Sequence, residues 1–260
     1  SKNLTYATKD ATDIINHFSA QTASFNEIHI DSVFNENATL ENILAIKDRL
    51  QKTKVDDQVV LFIAGHGLLS ADYDYYLATY DVDFMRPEKG GLPYESLEGL
   101  LDGIPARNKM LFMDACHSGE VDKDEIVAQK KKNTKKGKVS FRAATDISIT
   151  TKTNTFEIMK AIFADLRRGS GAMVISSAGG TEYAQESSEW GNGVFTMSLL
   201  NGLKLGRADM DRNGTIMFSE LLTFLKIEVP RLTSGNQKPT SRVENLAKDI
   251  EMQKTKRKRK

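Results

Sequence analysis

The chain holds one cysteine, Cys116, and a histidine set between two glycines, Gly65-His66-Gly67. A free thiol is only a few per cent ionised at neutral pH, and the thiolate is the nucleophile, so a reactive cysteine needs a base nearby. Both residues directly follow runs of apolar residues. VVLFIA (59–64) precedes the histidine, and KMLFM (109–113) precedes Asp114-Ala115-Cys116-His117-Ser118-Gly119. Runs of that kind read as strands buried on both faces. Open parallel sheets place their sites at the carboxyl ends of such strands. Nucleophile and base are therefore expected on adjacent loops, as thiol acyl transfer requires. Alone, a cysteine reads as a small buried hydrophobe and a histidine as a satisfied polar group. The joint placement at strand ends carries the chemical reading. His117 adjoins the cysteine, but neighbours on an extended segment point to opposite sides, so His66 is the preferred base. His17 and His29 fall in an expected helix and strand and read as structural.

A second constellation lies at 209–220, DMDRNGTIMFSE. Asp209, Asp211, Asn213 and Glu220 occupy positions 1, 3, 5 and 12, with Gly214 at 6 and apolar Ile216 at 8. That is the ligand pattern of an EF-hand calcium loop, in which Thr215 contributes its backbone carbonyl and Met217 leaves its place to a water. Sensor loops are usually paired and this one is single, so an Asx-turn capping the helix expected at 218–227 stays open as the alternative.

Elements that could position these residues follow from periodicity. Helices are expected over Asp10–Phe18, from Thr39 as N-cap through Leu50, over Tyr94–Leu101 and over Val194–Leu203. Strands are expected over 27–33, 59–65, 109–115 and 172–178. The alternation argues for an α/β fold with helices on both faces of a mostly parallel sheet. At 260 residues, with 40% hydrophobic and 27% charged, the chain is globular, and its single cysteine excludes an internal disulfide framework. No apolar run spans a bilayer and the first residues are polar, so the expected location is cytoplasmic.

The net charge of +1 hides an asymmetry. Residues 122–142 carry +5 and the tail 254–260 carries +6, which leaves −10 on the remainder. Neither basic run is interleaved with aromatics, which argues against nucleic-acid binding. QKKKNTKKGK (129–138) reads as an exposed loop within a linker spanning 122–155. The expected organisation is one domain in two parts, 1–121 and 156–253, around that linker, with 254–260 a basic tail.

IAGHG (63–67) and MDACHSG (113–119) together resemble the caspase-like cysteine peptidases, in particular the metacaspases and their bacterial relatives. NLTYATKDA (3–11), YYLATYDVD (75–83), SSAGGTEYAQE (176–186) and GNGVFTMSLLNGL (191–203) extend the likeness over nearly the whole chain. The resemblance implies a three-layer α/β/α fold, with Cys116 as nucleophile and His66 as general base and later acid. It places the backbone N–H groups of Gly67 and Cys116 as an oxyanion hole. It also implies that Asp10, Asp114 and Ser176 line the pocket for the residue before the scissile bond. Two carboxylates there would repel an acidic side chain and pair with Arg or Lys. The expected substrate is thus a protein or peptide with Arg or Lys before the cut. Asp10 also reads as a helix N-terminal carboxylate, and Ala64 stands where metacaspases often carry a serine.

Self-cleavage between Lys123 and Arg142 is expected from that specificity. No cofactor is required for the chemistry; Ca2+ at 209–220 is the one ion expected. The family's first central strand, beside the histidine strand, has no counterpart in this chain, so an upstream segment or another chain is expected to supply it. The competing readings are a catalytically silent caspase-like binding module and a calcium-responsive scaffold.

Overall fold

The computed structural model describes residues 4–72, 74–116, 139–141, 170–178, 184–242 and 249–255. In chain order the first elements are α1 (Ala7–Ser19), α2 (Leu40–Ala45), α3 (Lys47–Leu50), β1 (Gln58–Leu69), β2 (Tyr75–Leu77) and β3 (Leu92–Pro93). They are followed by α4 (Tyr94–Leu101), β4 (Asn108–Cys116), β5 (Val139–Phe141), β6 (Met173–Ser176), β7 (Gln185–Ser187) and β8 (Asn192–Gly193). The last are α5 (Val194–Lys204), β9 (Thr215–Met217), α6 (Phe218–Leu232), β10 (Thr240–Arg242) and β11 (Glu251–Lys254). A six-stranded sheet in the order β10-β6-β4-β1-β2-β3 forms the middle layer. Its centre is parallel, β1 with β4 and β4 with β6, and the flanking strands run antiparallel.

The pleat sorts the apolar side chains into two cores. Met110, Phe112, Met173 and Ile175 join Ile14 of α1, Leu199 of α5 and Leu221 of α6 on one face. Leu111, Met113, Ala115 and Val174 meet Leu97 and Leu101 of α4 on the other, with Ile43 of α2 and Leu50 of α3 packed at the side. Helices on both faces of a mostly parallel centre make a three-layer α/β/α sandwich. Among the described residues no helix is long and apolar enough to cross a membrane.

Four expectations change in detail. Gly65-His66-Gly67 is not a loop: β1 continues to Leu69, because β4 pairs with it as far as His66 and β2 takes over at Gly67. Residues 27–33 form no ladder; they line a groove beside β1 without hydrogen-bonding to a strand, and a strand requires that ladder. The helix capped by Thr39, whose Oγ1 accepts the Asn42 N–H at 3.3 Å, divides at Ile46 into α2 and α3. The helix expected at 218–227 runs on to Leu232, with Pro230 inside its last turn. Of the span 122–155 only residues 139–141 are described, and they pair with β7; the rest of the expected linker lies outside the described residues, as does most of the basic tail.

Among the described residues no strand pairs with the outer edge of β1 from Gln58 to Gly65. A groove of about 1660 Å³ runs along that edge.

Candidate active site

The parallel ladder between β1 and β4 ends with His66 directly opposite Cys116. Neighbouring strands lie about 4.8 Å apart, so these two backbone positions stand side by side. Positions 60, 62, 64 and 66 of β1 and 110, 112, 114 and 116 of β4 share one face by the alternation of the pleat. It is the face covered by α1, α5 and α6. His66 is 9% exposed, and its ring meets Phe84 edge-on, with centroids 5.9 Å apart and planes at 74°. Gly67 is the residue at which β1 changes partner from β4 to β2, at the same end of the sheet.

Asp10 and Asp114 are fully buried and converge on the start of α5. The Asp10 carboxylate accepts the Gly193 N–H at 3.1 Å and the Asn192 Nδ2 at 2.9 Å. Asp114 Oδ2 accepts the Thr196 hydroxyl at 2.5 Å and the Thr196 N–H at 3.3 Å. Gly193 is the N-cap of α5, so both carboxylates sit at the positive end of its dipole, an orientation favourable to an acidic side chain. Asp114 lies two residues before Cys116, about 6.7 Å along the strand. The helix-terminal role considered for Asp10 is real, but the helix it serves is α5 as well as its own α1.

Ser176 is not brought to these acids. It pairs with Met113, whose side chain belongs to the opposite core, and its hydroxyl bonds the Ala178 carbonyl at 3.2 Å. The parity of the ladder places it on the α4 side of the sheet.

Two residues that sequence reasoning passed over support the site. Glu186 is buried, and its carboxylate accepts the N–H groups of Thr5 at 3.0 Å and Tyr6 at 3.4 Å, tying the start of α1 to β7. Gln237 is buried and bridges the strand ends: its Oε1 accepts the Gln185 N–H and its Nε2 donates to the Ser177 carbonyl, both at 2.8 Å. Glu186 ends the quoted segment 176–186 and Gln237 lies in none, but the bonds of both reach residues remote in sequence, which no spacing encodes. His17 reaches Gln253 through Nε2 at 2.7 Å inside the α1 side of the molecule, a structural bond.

The loop 209–220 lies apart, between α5 and α6. One carboxylate oxygen each from Asp209, Asp211 and Glu220 lies within 4.8 Å of the others. Gly214 has φ +93°, the left-handed turn that position 6 of a calcium loop demands of glycine. Glu220 Oε1 accepts the N–H groups of Met210 and Asp211, and Asn213 Oδ1 accepts that of Thr215 at 2.7 Å. Asp209 Oδ2 accepts the Gly214 N–H and the Thr255 hydroxyl, both at 3.1 Å, whereas its Oδ1 is enclosed with no hydrogen-bond partner. An enclosed, unpartnered carboxylate oxygen among converging carboxylates fits a hard cation.

A three-layer α/β/α sandwich with a histidine and a cysteine closing one parallel ladder defines the class. The family model of the caspase domain matches residues 1–251, and the chain belongs to that family, one of cysteine peptidases. Among solved structures it is similar to protein GSU0716 from Geobacter sulfurreducens, at 17% identity and a TM-score of 0.58, over 92% of this chain and 84% of that one. That likeness concerns the fold alone. No curated protein matches the chain in sequence.

Proposed function

We propose that the protein is a cysteine endopeptidase that cuts after Arg or Lys, with Cys116 as nucleophile and His66 as base. The observation that carries the reading is the register of β1 on β4, which sets those two positions side by side on one face. His66 takes the thiol proton, and the sulfur attacks the scissile carbonyl. The backbone N–H groups of Gly67 and Cys116 receive the developing oxyanion, where one such donor is worth about 3 kcal/mol of barrier. His66 then returns its proton to the leaving amine, and water, activated by the same imidazole, hydrolyses the thioester. The two buried carboxylates, Asp10 and Asp114, support selection of a cationic side chain, because their field falls on the face that carries position 116. Ser176 takes no part in this reading. The lysine-rich span between Lys123 and Arg142 is a substrate of the same kind, in this chain or a neighbouring copy.

Digestion of a positional peptide library by wild type, Cys116→Ala and His66→Ala tests this. Cleavage after Arg and Lys in wild type alone is expected, with a second band of processed wild-type chain on a denaturing gel. Cleavage by Cys116→Ala equal to wild type overturns the reading.

Two further elements belong to the proposal. Loop 209–220 holds a hard cation such as Ca2+ through Asp209, Asp211, Asn213, the Thr215 carbonyl and Glu220, supported by the unpartnered Asp209 oxygen. An extended strand, from the same polypeptide or a second chain, completes the sheet beside β1.

A further inference from the structure

The segment between β2 and β3, residues 78–91, is irregular yet firmly built. Asp83 organises a turn: its Oδ1 accepts the Met85 N–H at 3.0 Å and its Oδ2 the Arg86 Nε at 3.0 Å. Its backbone N–H donates to the Lys89 carbonyl at 3.0 Å. The Thr79 hydroxyl donates to the Gly90 carbonyl at 2.7 Å and closes the base of the loop. A Cβ on Gly91 would stand 2.4 Å from the Pro87 carbonyl oxygen, so the chain there is packed against itself.

This loop carries Phe84, whose ring meets that of His66. Tyr80, Phe84 and His66 are among the residues that line the groove beside β1. Among the described residues the two most exposed large apolar side chains, Tyr80 at 66% and Met85 at 62%, lie on this same loop. Single exposed apolar residues need no explanation, but two on a rigid loop that touches the base of a proposed peptidase do.

Resting on the endopeptidase reading, we propose that Tyr80, Phe84 and Met85 form an apolar shelf for the first substrate residue on the leaving side of the scissile bond, favouring a bulky apolar side chain there. The base must stand over the departing nitrogen to protonate it, so the residue bearing that nitrogen lies on the His66 side of the cysteine. The surface packed on His66 is then what that side chain meets. A hydrophobic subsite distinguishes a large apolar side chain from a small polar one by roughly 10-fold or more.

The test compares two quenched fluorescent peptides identical except after the cut, Arg-Leu and Arg-Ser, by their ratio of kcat/KM. Wild type is expected to favour Arg-Leu by about 10-fold. Met85→Asp and Tyr80→Ser are each expected to bring the ratio toward one, and reading the ratio cancels any common loss in acylation. Equal rates on both peptides in wild type, or a ratio unmoved in both variants, overturn the shelf while leaving the peptidase reading standing. Failure of wild type to cut either peptide, with its single thiol fully titratable by iodoacetamide, overturns the peptidase reading and the shelf with it.

Discussion

Asp114 joins the fold to the proposed specificity in one side chain. Its carboxylate bonds Thr196 at the third residue of α5, and by register it shares a face with positions 66 and 116. Asp114→Asn keeps an oxygen able to accept from Thr196 and removes only the charge. Losing one partner of a buried charge pair costs about 2–5 kcal/mol. The variant is therefore expected to lose about 100-fold in kcat/KM on arginyl peptides while changing little on peptides carrying citrulline, the neutral analogue of arginine. An arginine-over-citrulline preference as large in Asp114→Asn as in wild type would show that its charge takes no part in recognition. The places of Cys116, His66 and Asp114 on neighbouring strand ends were legible in the sequence because each sits at the end of an apolar run, where a buried strand meets its carboxyl edge. Glu186 and Phe84 were not. Glu186 acts on Thr5 and Tyr6, far away along the chain, and Phe84 meets His66 through a ring contact that no spacing encodes. The face on which Ser176 lies was not legible either, because parity in β6 depends on its register against Met113, which is a property of the sheet.

Elements are held together by bonds whose titration is readable. His17 of α1 donates from Nε2 to the side-chain Oε1 of Gln253 in β11, and Gln253 Nε2 donates to the Leu203 carbonyl of α5 at 2.9 Å, which fixes the direction of both bonds. Burial holds the His17 imidazole below its ordinary value; the positive charge of Lys204 adds to that, and the Gln253 bond opposes it. The unfolded chain takes up the proton near pH 6.5, and the folded chain does so only at lower pH. The unfolded state therefore binds more protons in the window below 6.5, and stability falls as the pH drops through it. The melting temperature is expected to fall further between pH 7.5 and 5.5 in wild type than in His17→Gln; equal decrements would remove His17 as the cause. The loop that joins α5 to α6 brings three carboxylates together. Calorimetric titration with Ca2+ is expected to show one site, lost in Asp209→Asn, and a flat titration of wild type would leave the loop a self-satisfied turn. Long elements were visible in the sequence, since α1, α4, α5 and the central strands carry sustained apolar patterns. The short strands β2, β3 and β7–β11 were not, being two to four residues long and set by partners.

Among the described residues β1 leaves one side of its ladder unpaired from Gln58 to Gly65, in the interior of the middle layer. Val60 and Phe62 of β1 pack toward the core that contains Ile14 and Phe18, while Leu61 and Ile63 pack toward Ile43 and Leu50. The groove beside that edge is walled by apolar side chains of both outer layers, including Ile14, Phe18, Ile43 and Leu50. A space bounded by two helical layers and an open ladder fits an extended segment that is apolar on both its faces, as a central parallel strand is. A polar loop or a helix would leave the backbone of β1 unsatisfied, and each buried unmet group costs about 1–3 kcal/mol. In a parallel ladder alternate residues of a strand direct their N–H and C=O groups to opposite neighbours, so every second amide of 58–65 points into the groove. In this chain those amides are expected to exchange hydrogen quickly while the ones between them, bonded to β4, exchange slowly. Addition of a peptide or chain that supplies the strand is expected to slow the fast set and raise the melting temperature. Uniformly slow exchange across 58–65 in this chain alone would mean that the edge is already paired, and would remove the need for any completing strand.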